Sequence, residues 1–152
     1  MAADLAPVVP MTPVAIVAAP AGFDWGGLYG GASFIRAPAV AGHLGYNLVR
    51  DRLLFGAEAV VGVGAPFPTF FAGAGVRVGA LLGDRQRLLV YAALHALYVP
   101  AATSLCIFGT GGAEFAVGQR VSMFAEAGAV GTLGGACCGL TVRAGVSVHV
   151  GR

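Results

Sequence analysis

The sequence predicts an all-β fold, an eight-stranded antiparallel up-and-down transmembrane β-barrel, and three observations carry that expectation. Ionisable side chains keep to one parity of alternating stretches whose other parity holds almost only Ala, Val, Leu, Phe, Tyr and Gly. In residues 140–150, Leu140, Val142, Ala144, Val146, Val148 and Val150 alternate with Thr141, Arg143, Gly145, Ser147 and His149, the two-residue period of a strand with one wholly apolar face. The 152 residues are 57% hydrophobic and 11% charged, far below the roughly 25% charge of a water-soluble domain, so most of the surface belongs against lipid. The alternating stretches number eight, each about 9 to 13 residues long, the length of a tilted strand crossing a bilayer.

Taken in order, the expected strands are 27–35, 39–49, 53–63, 70–82, 88–98, 110–118, 121–131 and 140–150. The first turns Ser33 inward, the second His43, Gly45 and Asn47, and the third Gly56, Glu58 and Gly62. The fourth contributes Gly73, Gly75, Arg77 and Gly79, the fifth His95, and the sixth Glu114. The seventh contributes Ser122, Glu126 and Gly128, and the last Thr141, Arg143, Gly145, Ser147 and His149. Inward glycines make room for the long side chains opposite them. An even strand count closes an antiparallel ring with both ends on one side.

The connections fall into two alternating classes. Arg50-Asp51-Arg52, Gly83-Asp84-Arg85-Gln86-Arg87 and Gly118-Gln119-Arg120 are short and charged; residues 65–69, 99–106 and 132–139 form longer, nearly uncharged loops. The charged turns share an end with Asp24 and Arg152. Short turns and termini face the periplasm in outer-membrane barrels, so this rim is assigned inside and the uncharged loops outside.

Spanning helices are a poor alternative. The uncharged windows 59–76 and 96–113 approach the required length of about 20 residues, but the first contains Pro66, Pro68 and four glycines, and the second Pro100, Gly109, Gly111 and Gly112. Residues 1–22, with Pro7, Pro10, Pro13 and Pro20, read as an extended Pro-rich segment preceding a barrel over 23–152. A net charge of +2 with all nine basic residues Arg, and no basic run interleaved with aromatics, argues against nucleic acid as a partner.

Three carboxylates (Glu58, Glu114, Glu126) and two guanidinium groups (Arg77, Arg143) on inward positions are expected to pair across the lumen, because an isolated buried charge costs several kcal/mol. His43, His95 and His149 join the polar lining. Paired carboxylates suggest acid–base chemistry and three histidines suggest a metal, but the groups lie on separate strands without ligand spacing. Gly-x-Ser-x-Gly is absent, and Gly109-Thr110-Gly111-Gly112 lacks the Lys of a phosphate cradle. The expectation is a non-enzymatic chain with no cofactor and no metal, its lumen filled by side chains.

Trp25, Tyr29, Phe34, Tyr46, Phe55, Phe70, Tyr98, Phe108 and Phe115 are expected to face outward near strand ends, as an aromatic girdle. Cys106 is placed in the third long loop and Cys137 and Cys138 in the fourth, so a disulfide from Cys106 to either neighbour is open, leaving one thiol over.

Phe23-Asp24-Trp25-Gly26-Gly27-Leu28-Tyr29-Gly30-Gly31, after Ala2-Ala3-Asp4-Leu5, resembles the opening of the small porin-like outer-membrane β-barrel proteins of alphaproteobacteria, similar in architecture to the membrane domain of outer-membrane protein A. Trp25, Gly27, Tyr29, Gly30 and Gly31 match that opening; Gly26 and Leu28 depart from it. The last strand looks like the signal read by the barrel-assembly machinery, carried by Arg143, Gly145, Val148 and Val150, with Val150-Gly151-Arg152 in place of a terminal aromatic. The resemblance implies a bacterial outer-membrane location, with membrane lipid and the assembly machinery as partners.

The expected role is structural, a barrel that occupies and stabilises the bilayer, with Arg50, Arg52, Arg85, Arg87 and Arg120 at the inner rim. Two alternatives stand beside it: a narrow porin-like conduit for very small solutes, and a docking subunit of a larger complex. In the second, the small outward residues Ala57, Ala59, Ala72, Ala74, Ala125, Ala127 and Ala129 permit close contact with another membrane protein.

Overall fold

The structure, a computed structural model, describes residues 22–36, 39–64, 69–133 and 135–151, with only the backbone of 135–138. Eight strands follow one another: β1 (Gly27–Ile35), β2 (Ala39–Arg50), β3 (Leu53–Gly64), β4 (Thr69–Leu82), β5 (Leu88–Val99), β6 (Ser104–Ala116), β7 (Val121–Thr132) and β8 (Gly135–Gly151). Each pairs antiparallel with its sequence neighbour, and β1 closes on β8 into a continuous barrel. The one helical element among the described residues is a 3₁₀ turn at Pro100–Ala102; no helix among them is long and apolar enough to cross a membrane. Closure leaves no sheet edge along the paired wall, which is the condition for a strand structure to survive in hydrocarbon.

The side chains are sorted opposite to a soluble barrel. Leu44, Val76, Phe34 and Leu140 are 62%, 60%, 72% and 80% exposed, whereas Glu58, Arg77, Glu114, Glu126 and Arg143 are all buried. An apolar outer face and a polar interior define the transmembrane class of barrel.

Register explains how a lumen this narrow holds large groups, because glycines face them across the ladder. Tyr29 is opposite Gly45, Glu58 lies between Gly45 and Gly75, Arg77 is opposite Gly56, and Glu126 is opposite Gly112. A Cβ at Gly45 would land on the end of the Tyr29 ring, and one at Gly75 on the His95 imidazole.

Two strands start earlier than their sequence suggests. Pairing of Val99 with Ser104 and of Leu97 with Cys106 carries β6 back through the uncharged stretch, and β8 likewise begins at Gly135. Cys106 therefore belongs to a strand and not to a loop, because an uncharged run beside an extended strand gains a full ladder of backbone hydrogen bonds. Cys137 and Cys138 fall within the β8 span, but their side chains, and with them the question of a disulfide, lie outside the described residues, as do residues 1–21 of the Pro-rich segment and Arg152.

Three aromatics expected on the girdle point inward. Trp25 and Tyr29 are 1% exposed, and Phe108 packs onto an interior cluster. Tyr29 shares its parity with Ser33, and Trp25 continues that parity ahead of the strand, so the pleat sends all three to the lumen; even positions of β6 face inward with Glu114, which fixes Phe108. Phe34, Tyr46, Phe55, Phe70, Tyr98 and Phe115 are exposed on the outer face.

Candidate functional site

The lumen is built in layers, with charge in the middle and apolar side chains at each end. At the end that bears the short charged turns, termed inner for reference, Phe23 and Trp25, from the segment before β1, fold into the mouth against Leu54, Leu81, Leu89 and Ala116. Asn47 Nδ2 donates to the Trp25 carbonyl at 3.0 Å, and Trp25 Nε1 donates to the Gln86 carbonyl, which pins this segment to the β4–β5 turn. At the outer end Ala41, Val60, Phe71 and Leu97 form a second cluster, with Ile35, Val99 and Phe108 packed on it. These caps come from the same parity that supplies the charges.

Two ion-pair networks occupy the centre. In the first, Arg143 Nη1 donates to Glu58 Oε1 at 2.9 Å and to Glu126 Oε1 at 3.4 Å, while Arg143 Nε donates to Ser33 Oγ at 3.0 Å. Tyr91 donates its hydroxyl to Glu126 at 2.9 Å, and His95 Nε2 lies 3.2 Å from Glu58. In the second, Arg77 Nη1 donates to Glu114 Oε2 at 2.9 Å, and Arg77 Nε and Nη2 donate to Asn47 Oδ1. Glu114 also accepts from Ser122 and lies 3.3 Å from His149 Nε2. His43 stands apart from both carboxylate groups, with Nε2 3.0 Å from Ser147 Oγ.

Tyr29 couples the two. Its hydroxyl donates to Glu58 at 3.0 Å, and its ring carries the Arg77 guanidinium 4.3 Å from the centroid. A desolvated cation over an aromatic face gains about 2 kcal/mol or more, so the phenol serves as both donor and platform. Arg143 rests similarly on Phe124 at 5.0 Å. The five sequence-identified charges are thus all in the lumen, together with the three histidines; Tyr29, expected on the outer face, completes the cluster with Tyr91 and Phe124, which the sequence does not single out.

Little interior space is left. Two interior cavities of about 30 and about 10 Å³ border Arg143, Glu126 and His95, on the scale of single water molecules. Ser122, His149 and Glu114 resemble a nucleophilic set by type only: Glu114 meets the same Nε2 as the serine, so it does not orient the imidazole from Nδ1. Among the described residues no group of three or more His, Cys, Asp or Glu is arranged to hold a metal.

The rims differ. Arg85, Arg87 and Arg120 surround the inner mouth beside Asp24 and Gln119, and Arg87 covers the outward Phe115 ring at 5.8 Å. At the other end Arg36, which sequence reasoning left unassigned, sits in the first outer hairpin. Of the four β8 positions expected to form an assembly signal, Arg143 is in the lumen, Gly145 lies against Phe124, and Val148 and Val150 are exposed outward.

No family model matches the chain, and no curated protein matches it. Among solved structures the chain is similar to one described as "De novo design of transmembrane beta-barrels", with a TM-score of 0.55 and 15% identity over 81% of this chain and 95% of that one. At that identity the likeness concerns the fold: the chain has the architecture of a transmembrane β-barrel.

Proposed function

We propose that the chain is an integral barrel of the bacterial outer membrane whose role is structural, contributing to membrane integrity, with a lumen closed by its own side chains. The observation that carries this reading is the layered interior, with interlocked ion pairs between two apolar caps and only water-sized spaces beside them. The exposed Val, Leu and Phe of the outer face fit the hydrocarbon, and the resemblance of residues 23–31 and of β8 to porin-like outer-membrane proteins supports the particular membrane. In this reading the charged turns face the periplasm, membrane lipid surrounds the wall, and the barrel-assembly machinery receives β8. No cofactor or nucleic acid takes part, and no catalysis is performed.

The test joins three measurements on purified protein in micelles and planar bilayers. A boiled-versus-unboiled shift on a detergent gel and strand-rich circular dichroism are expected, with no discrete conductance. Unitary channels that vanish on replacement of Arg77 or Arg143 would overturn closure and establish the narrow conduit instead.

A docking role is favoured by one feature, the smooth outer face of β6 and β7. Gly109, Gly111 and Ala113 adjoin Ala129, Ala127 and Ala125 in register, all exposed, and small residues let another membrane protein approach closely. An Ala127→Trp variant that still folds should lose any stable assembly seen on native gels; retention of that assembly removes this reading.

A further inference from the structure

The outer half of the wall carries an apolar groove of about 730 Å³ with Ala32, Gly42 and Ala144 at its floor and Phe34, Phe70 and Val146 among its walls. The floor follows from register. Ala32 pairs with Gly42 and with Val146, and the next row outward places Phe34 between Ala144 and Val40. The open space is not a by-product of backbone crowding, since the nearest atom to a Cβ built at Gly42 is the Gly31 carbonyl oxygen, 3.9 Å away. A side chain would fit there, and its omission is what opens the groove.

Arg36 follows two residues beyond Phe34, a wall residue of this groove. It continues the outward parity of Ala32 and Phe34, is exposed, and is held to β8 by its backbone N–H donating to the Val142 carbonyl at 2.8 Å. It is also the one residue of formal charge in the four outer connections of the sequence. All other charges outside the Pro-rich segment are lumenal or belong to the inner end. The β1–β2 hairpin ends where Ile35 pairs with Arg143, whereas β8 continues outward to Gly135. Arg36 therefore stands beside a taller stretch of wall. From Arg36 to Ala32 the strand covers about 13 Å at 3.3 Å per residue, well within the reach of one acyl chain.

We propose that this groove is a binding site for a phosphate-bearing acylated lipid of the outer leaflet, specifically lipid A, with a phosphate on Arg36 and an acyl chain over Ala32 and Gly42. The inference rests on the outer-membrane reading, which places lipid A in that leaflet. Arg is suited to the contact because its planar fork meets phosphate with two parallel hydrogen bonds. The acyl chain fills a concavity that a straight-sided wall would lack.

Native mass spectrometry of the barrel in dodecyl maltoside micelles, with lipid A or phosphatidylglycerol added separately, tests it. Lipid A is expected to be retained by the wild type. Arg36→Gln should lower its retention about tenfold, the scale of one charge-assisted contact, and Gly42→Leu should lower it comparably. Arg36→Lys should retain part of the binding, and Arg87→Gln on the opposite rim all of it. Each variant's heat-modifiable gel shift reports its folding. Unchanged lipid A retention in folded Arg36→Gln or Gly42→Leu overturns the site, and equal Arg36-dependent retention of phosphatidylglycerol overturns the assignment to lipid A. A wild type with no heat shift instead removes the barrel reading on which the site rests.

Discussion

The Tyr29 hydroxyl donates to Glu58 across the lumen at 3.0 Å while the same ring supports Arg77, so one phenol ties together the two charged networks of the barrel. The coupling is strict in geometry because Gly45 leaves the ring its space.

Tyr29→Phe should therefore keep the ring under Arg77 and remove only the donor. The Glu58 carboxylate, still facing Arg143, loses one partner, and a loss of about 1–3 kcal/mol in folding stability is expected. Urea unfolding in lipid vesicles followed by tryptophan fluorescence measures it, and Trp25, the single tryptophan, reports from the inner cap.

Arg143→Met has a larger consequence, since it leaves both Glu58 and Glu126 without their shared cation. Removal of one partner of a buried ion pair costs about 3–5 kcal/mol. Combining it with Glu58→Gln and Glu126→Gln should restore a good part of that loss. A triple variant with no recovery would show that packing of the Arg143 stem on Phe124, rather than charge, dominates.

At Gly45 the expected fault is overpacking. Gly45→Val puts branched carbons where the Tyr29 ring end and the Ala57 carbonyl already are, for a cost of about 1–3 kcal/mol or more. Refolding yield by gel shift should fall sharply, and Gly42→Val, three residues away and so on the outer face with room for a side chain, should fold normally.

Depth dependence tests the lipid face. Val76→Arg, on a strongly exposed position of β4 near mid-wall, should cost about 2–4 kcal/mol in bilayers, while Val150→Arg close to the inner end should cost about 0–1 kcal/mol. Equal small effects at both positions, measured by urea titration in vesicles, would mean that no hydrocarbon surrounds the wall.

The barrel itself is legible in the sequence because period-two alternation is local and the apolar face is unbroken in segments such as Leu140 through Val150. The charged lumen was equally readable from parity at Glu58, Arg77 and Arg143. What escaped is what parity also contained. Leu54, Leu81 and Leu89 share the inward face with the charges, and composition alone gives no reason to expect apolar caps above and below an ionic layer. Tyr29 and Trp25 were assigned to the girdle because aromatic rings near strand ends favour interfaces, although Ser33 on the same parity points to the lumen. The early starts of β6 and β8 carry no marker, since uncharged loop and lipid-facing strand use the same residues. Arg36 is the converse case, a lone charge whose meaning appears only when the floor beneath it is seen.

Because β1 and β8 are bonded neighbours and β1 begins and β8 ends at the arginine-ringed mouth, the wall has no privileged seam. Joining the two ends by a short flexible linker and reopening the ring at the Arg50-Asp51-Arg52 turn would leave every strand beside its present partners. The order of the staves along the chain is thus separable from the cylinder they make, and a permuted chain refolded in micelles should yield the same vessel.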